Sequence, residues 1–213
     1  MSQVVARHII VFGRGLEIDG SRIKLSTASK GRVDALLAYV TSHTDTFETM
    51  PGIVVFSGGY AGASEDIQAP EHKFRESNLM LEHVKNAKIE GRPLSHYVTL
   101  YAEAESISTL ENVLNIHENG YFKDVVFSAR NPLGLVAHAT HFPRIEYFVH
   151  KILGLSGDQT QQIRATNKDR TESGIPESVM YYITRAAFFG VHRPTTFRKR
   201  ERVMIHVVHL FRR

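Results

Sequence analysis

HIIVFG, residues 8–13, is the stretch on which the fold turns. It is short, apolar and rich in β-branched residues, and a glycine closes it. That is the pattern of a strand buried on both faces of a parallel sheet. GIVVFSGG (residues 52–59) repeats the pattern. Between the two lie a polar connection, RGLEIDGSRIKLSTASKG, and a helix GRVDALLAYV with Val33, Leu36, Leu37 and Val40 on one face. Past the second strand, the polar loop AGASEDIQAPEH leads into a helix over residues 75–89, with Leu79, Met80 and Val84 inward. YVTLYAEAE (residues 97–105) reads as a third strand and STLENVLNI as the start of the next helix. DVVFSA (residues 124–129) is the candidate fourth strand, and PRIEYFVHKIL a further amphipathic helix. Strands alternating with helices at this spacing predict an α/β fold whose mainly parallel sheet is flanked by helices on both faces. Such sheets bind ligands beyond the carboxyl ends of their strands, at a topological switch point.

Residues 1–155 are expected to form this α/β domain. Residues 156–213 read as a C-terminal extension packed on it: a polar surface excursion, SGDQTQQIRATNKDRTESG (residues 156–174), a helix, PESVMYYITRAAFF, and a closing strand, RVMIHVVHLF (residues 202–211). With 42% hydrophobic and 23% charged residues in 213, the chain can bury a core and does not resemble a disordered one. The absence of cysteine excludes disulfides, thiolate catalysis and cysteine-bound metals. A formal charge of +4 makes the surface mildly attractive to anions. The basic run RKRER (residues 198–202) has no interleaved aromatic residues, so nucleic acid is not the expected partner. The first apolar run is too short for a signal peptide, and no stretch is long enough to span a membrane, so a cytoplasmic location is expected.

Three stretches could carry chemistry. FGRG (residues 12–15) and SGGY (residues 57–60) follow strands, where glycines let backbone amides turn toward an anion or simply make tight turns. Neither completes a dinucleotide or Walker fingerprint. In ESISTLEN (residues 105–112), Ser108 and Glu111 match a capping box, which leaves Glu105, Thr109 and Asn112 open to a role at a ligand-binding helix start. In HATHFPRIEY (residues 138–147), the proline places His141 just outside a helix and Arg144 in its first turn, a pairing suited to phosphate or carboxylate. The alternative is a polar cap and a surface arginine. His138 and His141 lack a carboxylate at ligand spacing, so no metal site is expected.

Taken in order, the glycine-ended first strand, the arginine-led helix, the strand ending SGG, the helix with Glu76 and Met80, the series E-S-x-S-T-x-E-N and the closing H-x-x-R resemble the YdcF-like family, the domain of unknown function 218 that also includes SanA-type proteins. The resemblance covers roughly residues 8–153. It implies a Rossmann-like three-layer sandwich with a polar pocket at the strand ends. That pocket would use Gly13, Gly15, Arg32, Ser57, Gly58, Gly59, Glu76, Glu105, Ser106, Thr109, Glu111, Asn112, His141 and Arg144. It also implies S-adenosylmethionine as a ligand. Around residues 128–140 the chain departs from the family, and either the loop before His141 is enlarged or GLVAHAT is the true strand. The expected function is an enzyme, a transferase or hydrolase, acting on a nucleotide-like or phosphorylated small molecule. Glu105, Glu111 and His141 are its candidate acid–base groups. The alternative is a sensor that binds S-adenosylmethionine or a nucleotide without turnover.

Overall fold

The computed structural model describes residues 4–20, 22–60, 69–169 and 175–210, the last six of them by backbone alone. The chain begins with β1 (His8–Phe12), then an antiparallel hairpin, β2 (Leu16–Asp19) and β3 (Arg22–Leu25), and two helices, α1 (Thr27–Thr41) and α2 (Thr44–Thr49). β4 (Gly52–Ser57) leads to α3 (Glu76–Val84), a small hairpin of β5 (Lys88–Ile89) and β6 (Arg92–Pro93), and β7 (Val98–Glu103). α4 (Thr109–Glu118), β8 (Leu133–His138), α5 (Phe142–Phe148) and β9 (Thr160–Ala165) follow. The chain closes with α6 (Glu177–Ala187) and α7 (Pro194–Leu210).

The main sheet runs β7-β4-β1-β8-β9 with every pairing parallel. Numbered along the chain, its five strands lie in the order 3-2-1-4-5, so the progression reverses between β1 and β8. That is the switch point, where the loops of two neighbouring strands diverge and leave a crevice. β1 shows why the sheet sits inside. Ile9 and Val11 face one way, against α1, α2 and α3; Ile10 and Phe12 face the other, against α4, α5 and the α6–α7 region. All four are fully buried, so the fold is the expected Rossmann-like sandwich of helix, sheet and helix.

Four expectations are corrected. DVVFSA is not a strand: Val126 is 84% exposed, and the segment makes only the isolated bridge Ser128↔Asn131. The fourth strand is LGLVAH, whose six residues are all buried. The polar excursion contains a strand of the sheet, because TQQIRA pairs along its whole length with β8 as the edge strand; residues 170–174 of that excursion lie outside the described residues. The closing strand at residues 202–211 falls instead in α7, apart from Phe211, which is outside the described residues. The connection after β1 carries the β2–β3 hairpin before α1 begins. Of the expected loop after β4, residues 61–68 lie outside the described residues. No described helix is long and apolar enough to cross a membrane.

Candidate functional site

The polar residues gather where the switch point requires. From β1 come Gly13, Arg14 and Gly15; from α1, Arg32; from β8 and the turn after it, His138 and His141; from α5, Arg144. Asn167 and Asp169 follow β9, and Glu177 opens α6. Arg14, Arg32, His138 and His141 are each at most 3% exposed, a rare density of buried cationic and imidazole groups.

Glu76 organises the glycine turn. It opens α3, and its Oε1 accepts from the amides of Arg14 (2.5 Å) and Gly15 (2.7 Å) and from the Ser29 hydroxyl. Gly13 is glycine because a Cβ there would overlap the Glu76 carboxylate. The turn does hold an anion, then, but that anion belongs to the protein. The second glycine turn is likewise filled. Gly58 N–H donates to the Glu103 carbonyl, Gly59 N–H to the Ser106 carbonyl, and the Ser57 hydroxyl to Glu103 Oε2. A Cβ at Gly59 would lie 2.5 Å from the Ala104 carbonyl oxygen, so the close approach of two backbones selects glycine there.

Arg32 is fully buried. Its guanidinium donates to the carbonyls of Phe12 (3.0 Å) and Gly13 (2.9 Å) and through Nε to His138 Nδ1 (3.1 Å). His138 Nε2 faces Asn167 Oδ1 at 3.0 Å, so this imidazole is a neutral tautomer with its proton on Nε2. Burial lowers its pKa and the charge of Arg32 lowers it further, partly opposed by Asp169. His141 has Arg32 Nη2 at 3.2 Å from Nδ1; Thr109 Oγ1 and Arg144 Nη2 both lie 3.0 Å from Nε2. Burial and then the charges of Arg144 and Arg32 hold its pKa well below the ordinary histidine value, so it too is neutral near pH 7. A neutral imidazole has one acceptor nitrogen, and both arginines can only donate. The two guanidinium contacts therefore cannot both be hydrogen bonds, and the arginines need acceptors elsewhere.

Arg32 has the Phe12 and Gly13 carbonyls, and carboxylates serve Arg144 and the neighbouring Arg14. Arg14 donates through Nε to Asp169 (2.9 Å) and through Nη1 to Glu177 (2.7 Å); Arg144 Nη2 donates to the same Glu177 oxygen at 3.0 Å. Burial raises the Asp169 pKa, but the Thr140 hydroxyl and the Arg14 charge more than offset this and leave it below the usual carboxylate value.

The residues anticipated from sequence divide clearly. Gly13, Gly15, Arg32, Glu76, Thr109, His141 and Arg144 come together at the carboxyl ends of β1 and β8. Ser57, Gly58, Gly59 and Ser106 form the neighbouring turn, and Asn112 is buried on α4. Glu105 does not join them: its side chain is 66% exposed and pairs with Arg75 and His72. The interior carboxylate of that stretch is Glu103, the last residue of β7, whose Oε1 accepts from the amides of Glu105 and Ser106 and from Asn115. Ser108 caps α4 as expected, but Glu111 reaches back to the Ile107 amide and looks toward Arg198, 3.9 Å away. Arg14, His138, Asn167, Asp169 and Glu177 were not anticipated as site residues. The signal for Arg14 was its place between the two glycines of FGRG, and for Glu177 its place in PES at a helix start. No described group of three or more histidine and carboxylate side chains could hold a metal ion. Comparison with protein-family models, with curated proteins and with solved structures returned no match.

Proposed function

We propose that the chain is an enzyme, a transferase or hydrolase, that binds a nucleotide-like or phosphorylated small molecule in the crevice between β1 and β8. The observation that carries this reading is the pair of guanidiniums, Arg14 and Arg144, converging on one carboxylate oxygen beside a neutral, buried His141. Two arginine forks aimed at one point suit an oxyanion, and a bound oxyanion would offset the arginine charges that depress the neutral imidazole, letting it accept a proton during transfer. His141 is therefore the acid–base group of choice. Glu105 faces outward, and Glu111 is tied to the Ile107 amide. The resemblance to YdcF-like domains adds S-adenosylmethionine as the cofactor to test first. A sensor without turnover is the second reading, favoured by one observation: each carboxylate in the cluster already has a donor.

A thermal-shift screen tests the proposal, with S-adenosylmethionine, S-adenosylhomocysteine, nucleotides, sugar nucleotides and phosphorylated metabolites. A ligand at 100 times its Kd adds about 2.7 kcal/mol of stability. The expected result is a stabilising ligand whose effect vanishes in Arg144→Ala and His141→Ala. A hit then assayed for turnover separates the enzyme from the sensor. No shift with any anion, in a protein that melts cooperatively, would refute both.

A further inference from the structure

We propose that Glu177 is a built-in occupant of the ligand's anion seat, and that a phosphoryl group enters by displacing it together with the first turn of α6. The inference rests on the anion-site reading above and specifies which atoms the ligand meets.

The Glu177 carboxylate is held as a bound anion would be. One oxygen, Oε1, accepts from Arg14 Nη1 at 2.7 Å and from Arg144 Nη2 at 3.0 Å, joining two guanidiniums that come from different strand ends. The fit is incomplete. Oε2 of Glu177 is buried with no hydrogen-bond partner, and so is Nε of Arg144. A group that existed only to neutralise the arginines would be expected to satisfy both, since buried polar atoms are nearly always paired. A phosphoryl group, with three oxygens in a tetrahedron, can bridge the arginines and also meet the Nε–Nη2 edge of Arg144 in the paired geometry that guanidinium prefers.

The element that carries Glu177 is built to move. Within α6 only Thr184 is buried, and its hydroxyl has no partner. Val179 and Tyr182 are 46% and 68% exposed, so little apolar contact is lost if the helix start withdraws. Pro176 stands at the N-cap and offers no side-chain cap to the first amides, so the helix gains nothing there that resists unwinding. Arg14 keeps Asp169 when Glu177 leaves, whereas Arg144 has no other carboxylate among its described ion pairs. Withdrawal therefore uncovers positive charge at Arg144, next to His141, where the incoming group is needed. The seat is closed to weak anions and opened by one that binds both arginines better than a carboxylate does.

Isothermal titration calorimetry with inorganic phosphate tests this on wild type, Glu177→Gln, Glu177→Gln with Arg144→Ala, and Arg144→Ala alone. If the carboxylate fills the seat nine-tenths of the time, apparent affinity is lowered about tenfold. Glu177→Gln should therefore bind phosphate about tenfold tighter than wild type, and adding Arg144→Ala should abolish the gain. Phosphate should also speed exchange of the Val179 and Met180 amides, which are bonded to the Pro176 carbonyl, in wild type. If Glu177→Gln binds no tighter while Arg144→Ala still eliminates binding, the occupant idea is overturned and the anion site stands. If neither wild type nor Glu177→Gln binds phosphate and both melt cooperatively, both ideas fall together. Should Glu177→Gln fail to melt cooperatively, Glu177→Asp replaces it: one methylene shorter, it keeps the charge but cannot span both guanidiniums. The same gain is then expected, and its absence would be decisive against the proposal.

Discussion

Gly13→Ala should cost about 3 kcal/mol, and the cost should all but disappear once Glu76 is gone. The φ angle of Gly13 is not positive, so alanine meets no backbone strain there. What it meets is the Glu76 carboxylate, whose Oε1 would lie only 2.9 Å from the new methyl, with Cδ and Oε2 nearer still. The carboxylate must retreat by about 1 Å to regain van der Waals distance. Its bonds to the Arg14 amide (2.5 Å) and the Gly15 amide (2.7 Å) then stretch past the useful range. Bonds to a charged group contribute about 1.5–3 kcal/mol each, so weakening two of them, with some recovery by relaxation, gives the figure above. In a chain of this size about 3 kcal/mol lowers Tm by roughly 6–12 °C. In a Glu76→Ala background the methyl enters vacated space and should cost no more than about 0.5 kcal/mol, giving a coupling of about 2–3 kcal/mol. Calorimetry on wild type, the two single variants and the double variant measures this coupling. An equal cost of Gly13→Ala in both backgrounds would show that Glu76 is not what keeps position 13 glycine.

Two pH effects of opposite sign follow from buried groups. Burial, with help from Arg7, lowers the His8 pKa to about 4. Below about pH 6.5 the unfolded chain therefore takes up a proton that the folded one refuses, and stability falls as pH drops toward 4. His8→Phe, beside Phe122 and Phe127, should remove about 2 kcal/mol of the difference between pH 7 and pH 5 in urea titrations. An unchanged slope would place the histidine outside the core. Glu201 behaves oppositely. Burial raises it to about 7 against the opposing Ser108 hydrogen bond, with the Glu111 charge adding to the rise, so its contribution is full below pH 4.5 and lost as pH climbs through 7. Glu201→Gln should therefore match wild type near pH 5 and exceed it by about 2 kcal/mol at pH 8; a variant less stable at pH 8 would contradict this.

What the sequence disclosed follows from where the apolar pattern is strong. β1, β4 and α4 were legible because continuous β-branched runs end in glycine and because Ser108 marks a helix start. β9 was missed since an edge strand needs little apolar surface: of TQQIRA only Ile163 and Ala165 are buried. DVVFSA has strand composition but no partner strand, whereas LGLVAH beside it supplies six buried residues at the right place in the sheet. RVMIHVVHLF alternates as a strand would, but short apolar runs also fit a helix, and the preceding turn continues straight into it. In the site, the error from Glu103 to Glu105 is one of side: the strand ends with Glu103 inward, and the amides of residues 105 and 106 turn back onto it. Glu177 was hidden because an acidic residue in a first helical turn is ordinarily explained by the helix dipole alone.

The cost of the cluster is the strongest reason to attribute a function to it. Each of Arg14, Arg32 and Arg144 has been drawn out of water, and a buried ion pair returns little beyond that desolvation; apolar replacements of similar volume often do as well or better. The sheet does not require charge here. Ile10, Phe12, Leu135 and Ala137, along the same two strands, belong to the apolar cluster packed under α4 and α5. The cluster of arginines and imidazoles lies where β1 and β8 end, on both sides of the gap at which the strand order reverses. If the network served the fold alone, replacing the Arg144–Glu177 pair by Met and Leu should leave the stabilisation by anions untouched, whatever its effect on Tm. If it is a binding site, the same replacement should leave the fold intact and eliminate the stabilisation by anions, which separates stability from function in a single variant.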